Sequence, residues 1–181
     1  VDQPVDVMGH SFGGLLGLSL VALAPELVNR AVLIDPAIAM PAAFCEERAR
    51  ELVESSGWAS PEDAIAERAA IVNEVGHHAI PGDIAEHCVQ GDDGRWRLRC
   101  SRAAAVVAWS EMAHAAPLPE EPRPVLILRA AQDVYVDEAR LVAPLRTALG
   151  GDLTVVDIDA KHMIYWEQPA AAATAVAAFL A

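Results

Sequence analysis

Ser11 sits in the run Gly9-His10-Ser11-Phe12-Gly13, a serine framed by glycines at spacing G-x-S-x-G. An apolar, β-branched run precedes it and a long apolar stretch follows. The pattern is that of a tight strand-to-helix turn that lifts a side chain clear of a sheet edge, where Gly9 and Gly13 relieve the crowding of such a turn. A serine hydroxyl at neutral pH is a weak nucleophile until a base takes its proton, and the base must itself be held in one tautomer by a carboxylate. His162 and Asp133 meet those needs, each shortly after a strand-like segment. The backbone N–H of Phe12, at the start of the following helix, is placed to meet a developing oxyanion, with the positive end of the helix dipole behind it. The chemistry implied is acyl transfer through an acyl-enzyme.

Other residues compete for these roles. Asp35 follows the strand-like run Ala-Val-Leu-Ile and could be the acid, but the strand before Asp133 is longer and Asp35-Pro36 also reads as a strand-ending turn. Asp133 is therefore the expected acid. His10, Tyr135 and Met163 are pocket candidates, His10 also reading as packing beside the turn. His77, His78 and His87, with Asp83 and Glu86, lack a helical i, i+4 pair and read as solvated helix ends, so no metal and no cofactor is expected. His114 reads as incidental, Asp137 as a helix cap, and Asp157 and Asp159 as solvent-facing. Cys45, Cys88 and Cys100 are odd in number and unpaired in spacing, which reads as reduced thiols and a cytoplasmic setting.

These residues need a scaffold. Residues 5–8 read as a buried parallel strand, 13–24 as a helix apolar on nearly all sides, and 31–34 as a second buried strand, together a strand–helix–strand unit. Strand and helix patterns return at 124–129, 137–149, 153–158 and 169–180. Between them the composition changes: charged, helix-prone stretches at 46–54, 61–74 and 101–114 are separated by Ser-Gly, Pro-Gly and Asp-Asp-Gly breakers, which predicts an all-helical insertion. The expected organisation is core at 1–39, helical cap at 40–121 and core again at 122–181. With 181 residues, 54% hydrophobic and a formal charge of −13, the chain has material for a buried core and a surface unsuited to nucleic acid or anionic membrane. No apolar run reaches the roughly 18 residues of a membrane span.

Gly-His-Ser-Phe-Gly-Gly after a strand, Ala-Val-Leu-Ile-Asp-Pro, Pro-Val-Leu-Ile-Leu-Arg leading to Asp133, and Asp-Ala-Lys-His-Met-Ile-Tyr-Trp-Glu-Gln-Pro around His162 resemble the α/β-hydrolase superfamily. The run Asp-Gly-Arg-Trp-Arg-Leu-Arg at 93–99 resembles the approach to core re-entry in its capped members. The resemblance implies an α/β-hydrolase fold, a parallel sheet with a helical cap, and the chain order serine, acid, histidine. It departs at Ala130 and Lys161, where glycine is usual, and a lysine turned inward beside His162 would lower its basicity. The fold's early strands, with the loop that donates a second oxyanion N–H, find no counterpart here. A C-terminal fragment is expected on that ground, with the serine strand as an edge, a tendency to self-associate and little activity in isolation.

The function expected is a serine hydrolase acting on a small-molecule carboxylic ester or related acyl compound. Thioesterase, carbon–carbon bond hydrolase and perhydrolase chemistry remain open, as does a non-catalytic binding protein on the same scaffold.

Overall fold

The computed structural model describes residues 3–181. A parallel four-stranded sheet, ordered β1-β2-β5-β6, is built from β1 (Val5–His10), β2 (Val28–Ile34), β5 (Val125–Ala130) and β6 (Leu153–Ile158). β1 lies at one edge, in register with β2 from Val7↔Ala31 to His10↔Ile34. Residues with side chains on opposite faces alternate along each strand, so Val32, Ile34, Leu126 and Leu128 join Ile164 and Ala172 in one apolar cluster beneath α8 (Pro169–Leu180). On the other face lies α1 (Phe12–Leu23), so close that a Cβ on Gly17 would stand 3.2 Å from Leu33 Cδ2. Helices cover both faces because β2 and β5 are apolar on both.

Two compact units result: residues 1–41 with 112–181, and residues 42–111. The ends of the first unit's interruption meet where the Met40 N–H donates to the Met112 carbonyl at 2.9 Å. Residues 112–121, grouped by sequence with the insertion, thus pack with the sheet.

The second unit holds α2 (Ala42–Glu54), α3 (Pro61–Ala69), a 3-10 turn at Glu74–Ala79, α4 (Ile80–His87) and α5 (Arg102–Met112). It is not all helical. An antiparallel hairpin, β3 (Cys88–Gln90) with β4 (Trp96–Leu98), occupies the stretch where the sequence shows only a breaker. Gly94 at φ 79° makes the turn, and the Arg97 guanidinium ties back to the Asp93 carboxylate, so the Asp-Asp-Gly run joins two strands instead of ending a helix. The expected helix at 61–74 stops at Ala69, before Ile71-Val72-Asn73, three poor helix formers in succession.

The expected helix at 137–149 is also modified. Asp137 accepts the Arg140 N–H at 2.7 Å, a π-turn covers Glu138–Val142, and the α-helix proper, α6, is Ala143–Leu149. Pro144 has no N–H to give the Arg140 carbonyl, so the chain opens by one residue before regular helix resumes. A short helix α7 (Ile164–Glu167) precedes α8. No helix among the described residues is long and apolar enough to cross a membrane.

Candidate active site

The carboxyl ends of the four strands present, in sheet order, Ser11 after β1, Asp35 after β2, Asp133 after β5 and His162 after β6. Ser11 holds φ 55°, a left-handed conformation that side-chain-bearing residues avoid. The strain is held by neighbours: the Ser11 N–H donates to the Ile34 carbonyl at 3.0 Å, and its carbonyl accepts from Gly14 at 2.9 Å and Ala37 at 3.1 Å. A Cβ at Gly9 would fall 2.1 Å from the Gly13 carbonyl oxygen, and one at Gly14 would fall 2.6 Å from Pro36 Cβ. The turn needs glycine there. Gly13, expected to be the second essential glycine, has nothing within 4 Å of a Cβ, so it is Gly14 against Pro36 that requires the missing side chain. The Phe12 N–H, at the first position of α1, is left without an acceptor among the described residues, as the opening turn of a helix leaves it.

Across the sheet edge, His162 Nε2 stands 2.9 Å from Ser11 Oγ, and His162 Nδ1 stands 2.6 Å from Asp35 Oδ2. An ionised carboxylate can only accept, so Nδ1 carries the ring proton and Nε2 is the acceptor for the serine hydroxyl. Asp35 is fully buried, and its other oxygen takes the Ala130 N–H at 3.0 Å. Burial pushes the Asp35 carboxyl above its ordinary value, with the His162 and Ala130 hydrogen bonds pulling against it and the Asp133 charge adding to the rise. Asp35 itself lies at φ 39°, and Ala39 at φ 53°, so all three non-glycine residues with positive φ among those described fall between 11 and 39.

Asp133 does not reach the ring. Its Oδ1 accepts the N–H of the next residue, Val134, at 2.7 Å, and its Oδ2 accepts the backbone N–H of His162 at 3.2 Å. The carboxylate expected to orient the imidazole instead fastens the loop that carries it. The reason is lateral position. β2 lies between β1 and β5, so a residue leaving β2 is next to the serine turn, whereas the turn after β5 is drawn toward β6 by Ala131 N–H to the Ile158 carbonyl at 2.9 Å and Gln132 N–H to the Ala160 carbonyl at 3.0 Å.

Around the histidine, Tyr135 stacks on the ring with centroids 3.9 Å apart and planes 13° from parallel. His10 packs on another side at 4.5 Å, and its Nε2–H donates to the His162 carbonyl at 2.9 Å. That bond fixes the His10 tautomer. Burial, then the charge on His162, push the His10 ring down to about 4, against the pull of its hydrogen bond. Met163 is half-buried. Glu167, almost fully buried, was not anticipated: its Oε2 accepts the Lys161 N–H at 2.8 Å and so grips the histidine loop from the other end. A lone acid inside Ile-Tyr-Trp-Glu was the only available signal. The Lys161 side chain makes no ion pair or hydrogen bond among the described residues.

The remaining candidates are dispersed. His77 Nε2 contacts the Ala69 and Val72 carbonyls and His78 Nδ1 the Val75 carbonyl, while His87 Nδ1 lies near both the Asp83 carbonyl and, at 3.2 Å, the Asp83 carboxylate one helical turn away, so all three make only local contacts. No group of three or more His, Cys, Asp or Glu suited to a metal ion occurs among the described residues. Asp157 pairs with Arg129 at 2.6 Å, and Asp159 accepts from Gln132 at 2.7 Å.

Residues 1–175 match the family model described as the alpha/beta hydrolase family. The chain belongs to the α/β-hydrolase family. It is 35% identical over 182 residues to Lipase LipV of Mycobacterium tuberculosis, a match that takes in 99% of this chain and 68% of the lipase. Among solved structures, E-2-(acetamidomethylene)succinate hydrolase superposes with TM-score 0.75 at 21% identity, covering 99% of this chain and 67% of that one. The enol-lactonase from Burkholderia xenovorans LB400 superposes with TM-score 0.72 at 19% identity, covering 98% and 65%. At such identities these two establish the fold alone. The chain thus spans about two thirds of the length of these relatives.

Proposed function

We propose that this α/β-hydrolase chain carries the nucleophile, base and acid of a serine hydrolase acting on carboxylic esters, with Ser11, His162 and Asp35 in those roles. The observation that carries the proposal is the unbroken hydrogen-bonded row from buried Asp35 through His162 to a strained Ser11. Ser11 Oγ attacks the ester carbonyl carbon as its proton passes to His162 Nε2. The oxyanion that forms is met by the Phe12 N–H, and Asp35 steadies the imidazolium. Collapse returns the proton from Nε2 to the departing alcohol and leaves an acyl-serine, which water opens by the same steps in reverse. Asp133 and Glu167 act on this row only through the backbone at 161–162. The kinship with a lipase supports an ester, and Tyr135, His10 and Met163 would border the substrate.

The test is labelling and turnover in the complete protein. A fluorophosphonate should modify Ser11, and Ser11→Ala should lower hydrolysis of a chromogenic ester by several orders of magnitude without altering the fold. Near-normal turnover by that variant would remove the serine from the mechanism.

A further inference from the structure

The unit formed by residues 42–111 contains a cleft of about 720 Å³, lined entirely by its own residues. That size suits a small organic ligand. Leu52, Trp58, Ile71, Ile84, Leu98 and Trp109 supply an apolar wall. A smaller cleft of about 180 Å³ shares Leu52, Ser55, Trp58, Leu98 and Ala105 with it, so the two adjoin. Arg102 lines the smaller part.

The charges along this groove are unequal in what they have left to bind. Glu51 is taken by Arg48 at 2.7 Å, and Glu67 accepts the Trp58 Nε1–H at 2.9 Å. Arg68 has Asp83 at 3.6 Å, and Arg97 is held by Asp93. One donor of the Glu51-paired Arg48, whose guanidinium also lies 5.5 Å over the Phe44 ring, and the whole of the Arg102 head remain unused. The Nε–H of Arg48 is buried without an acceptor, and the Arg102 side chain makes no hydrogen bond or ion pair among the described residues. A buried donor without a partner carries a desolvation cost that an incoming acceptor would remove. Glu51 already pairs with Arg48 and Glu67 holds the Trp58 N–H, whereas an acceptor on an anionic head would satisfy the buried Arg48 Nε–H and meet an Arg102 that has no ion pair among the described residues.

We propose that this groove is a binding site for an amphiphile with a single carboxylate head and an aliphatic tail, the tail lying along the Leu52–Trp109 wall, with Arg48 in the larger part and Arg102 in the smaller as the cations that favour an anionic head. The site uses none of the residues around Ser11, so it stands whether or not the ester hydrolase reading does.

Dodecanoate is a suitable probe, titrated calorimetrically into the full chain bearing Ser11→Ala, so that no turnover intervenes. Saturable binding is expected, with dodecylammonium at least tenfold weaker. Arg102→Glu, an exposed position that leaves folding undisturbed, should weaken dodecanoate about fivefold and flatten its salt dependence. Ala105→Trp, which fills the groove where its two parts join, should remove binding in a protein whose circular dichroism is unchanged. Absence of saturable binding, equal affinity for the two head groups, or full affinity in Arg102→Glu would each overturn the proposal.

Discussion

The two units of this chain handle polar groups in opposite ways. In the sheet unit a carboxylate, Asp35, is completely buried, Glu167 is nearly so, and Ser11, Asp35 and Ala39 hold left-handed backbone. In residues 42–111 no acidic or basic residue is buried as a whole, and ion pairs such as Arg48–Glu51 and Arg97–Asp93 lie at the surface. Buried charge and strained backbone are costly and persist only where surrounding structure enforces them. The sheet supplies that enforcement, through ladders on both sides of β2 and β5. The difference separates a region built to hold reactive groups still from one whose shape can vary at little cost.

The largest expected effect is on the buried acid. Asp35→Asn should lower turnover by about 10⁴, the worth of an orienting carboxylate, whereas Asp133→Asn should cost roughly tenfold, since its amide can still accept one of the two N–H groups now bound. Ester kinetics at equal folded fraction decide this, and a reversed ranking would transfer the orienting role to Asp133. Next comes the turn. Gly9→Ala should destabilise the protein by about 3 kcal/mol and Gly14→Ala by about 2, while Gly13→Ala should be close to neutral, as denaturant midpoints would reveal.

A smaller effect is pH-dependent. The His10 ring titrates at about 4 in the folded chain against an ordinary 6.5, so the unfolded chain binds more protons between those values. Stability from this residue is present above pH 6.5 and falls as the pH drops toward 4. His10→Gln should flatten thermal stability across that window, and an unchanged slope would show that another group governs it. The smallest effect belongs to the other unit: Arg48→Met, which breaks a half-exposed pair, should change stability by less than about 1 kcal/mol in thermal unfolding.

Local pattern carried much of this protein. Apolar runs before Asp35 and Asp133 mark β2 and β5 because a strand buried on both faces must be apolar throughout. The run before Ser11 also forms a strand, but at the sheet edge with Val5 and Met8 exposed, not buried as its composition suggests. The glycine-framed serine marks the turn because few residues tolerate it. Ser11 could be singled out because it follows β1 directly within its glycine frame, and His162 because it lies four residues past the end of β6, where the serine-acid-histidine order needs a base. The hairpin at 88–98 was hidden because three-residue strands are too short for alternation to register, and the π-turn because its cause, Pro144, also suits a helix's first turn.

Which carboxylate faces the imidazole was beyond the sequence. Asp35 and Asp133 both follow strands and both fall between the serine and the histidine in chain order. Only the lateral order of strands, β1 beside β2 and β5 beside β6, sets Asp35 against the ring and Asp133 against the backbone. Chain order records what each strand is followed by, but a hydrogen bond of 2.6 Å depends on which strands are neighbours, and that is settled only when the whole sheet assembles.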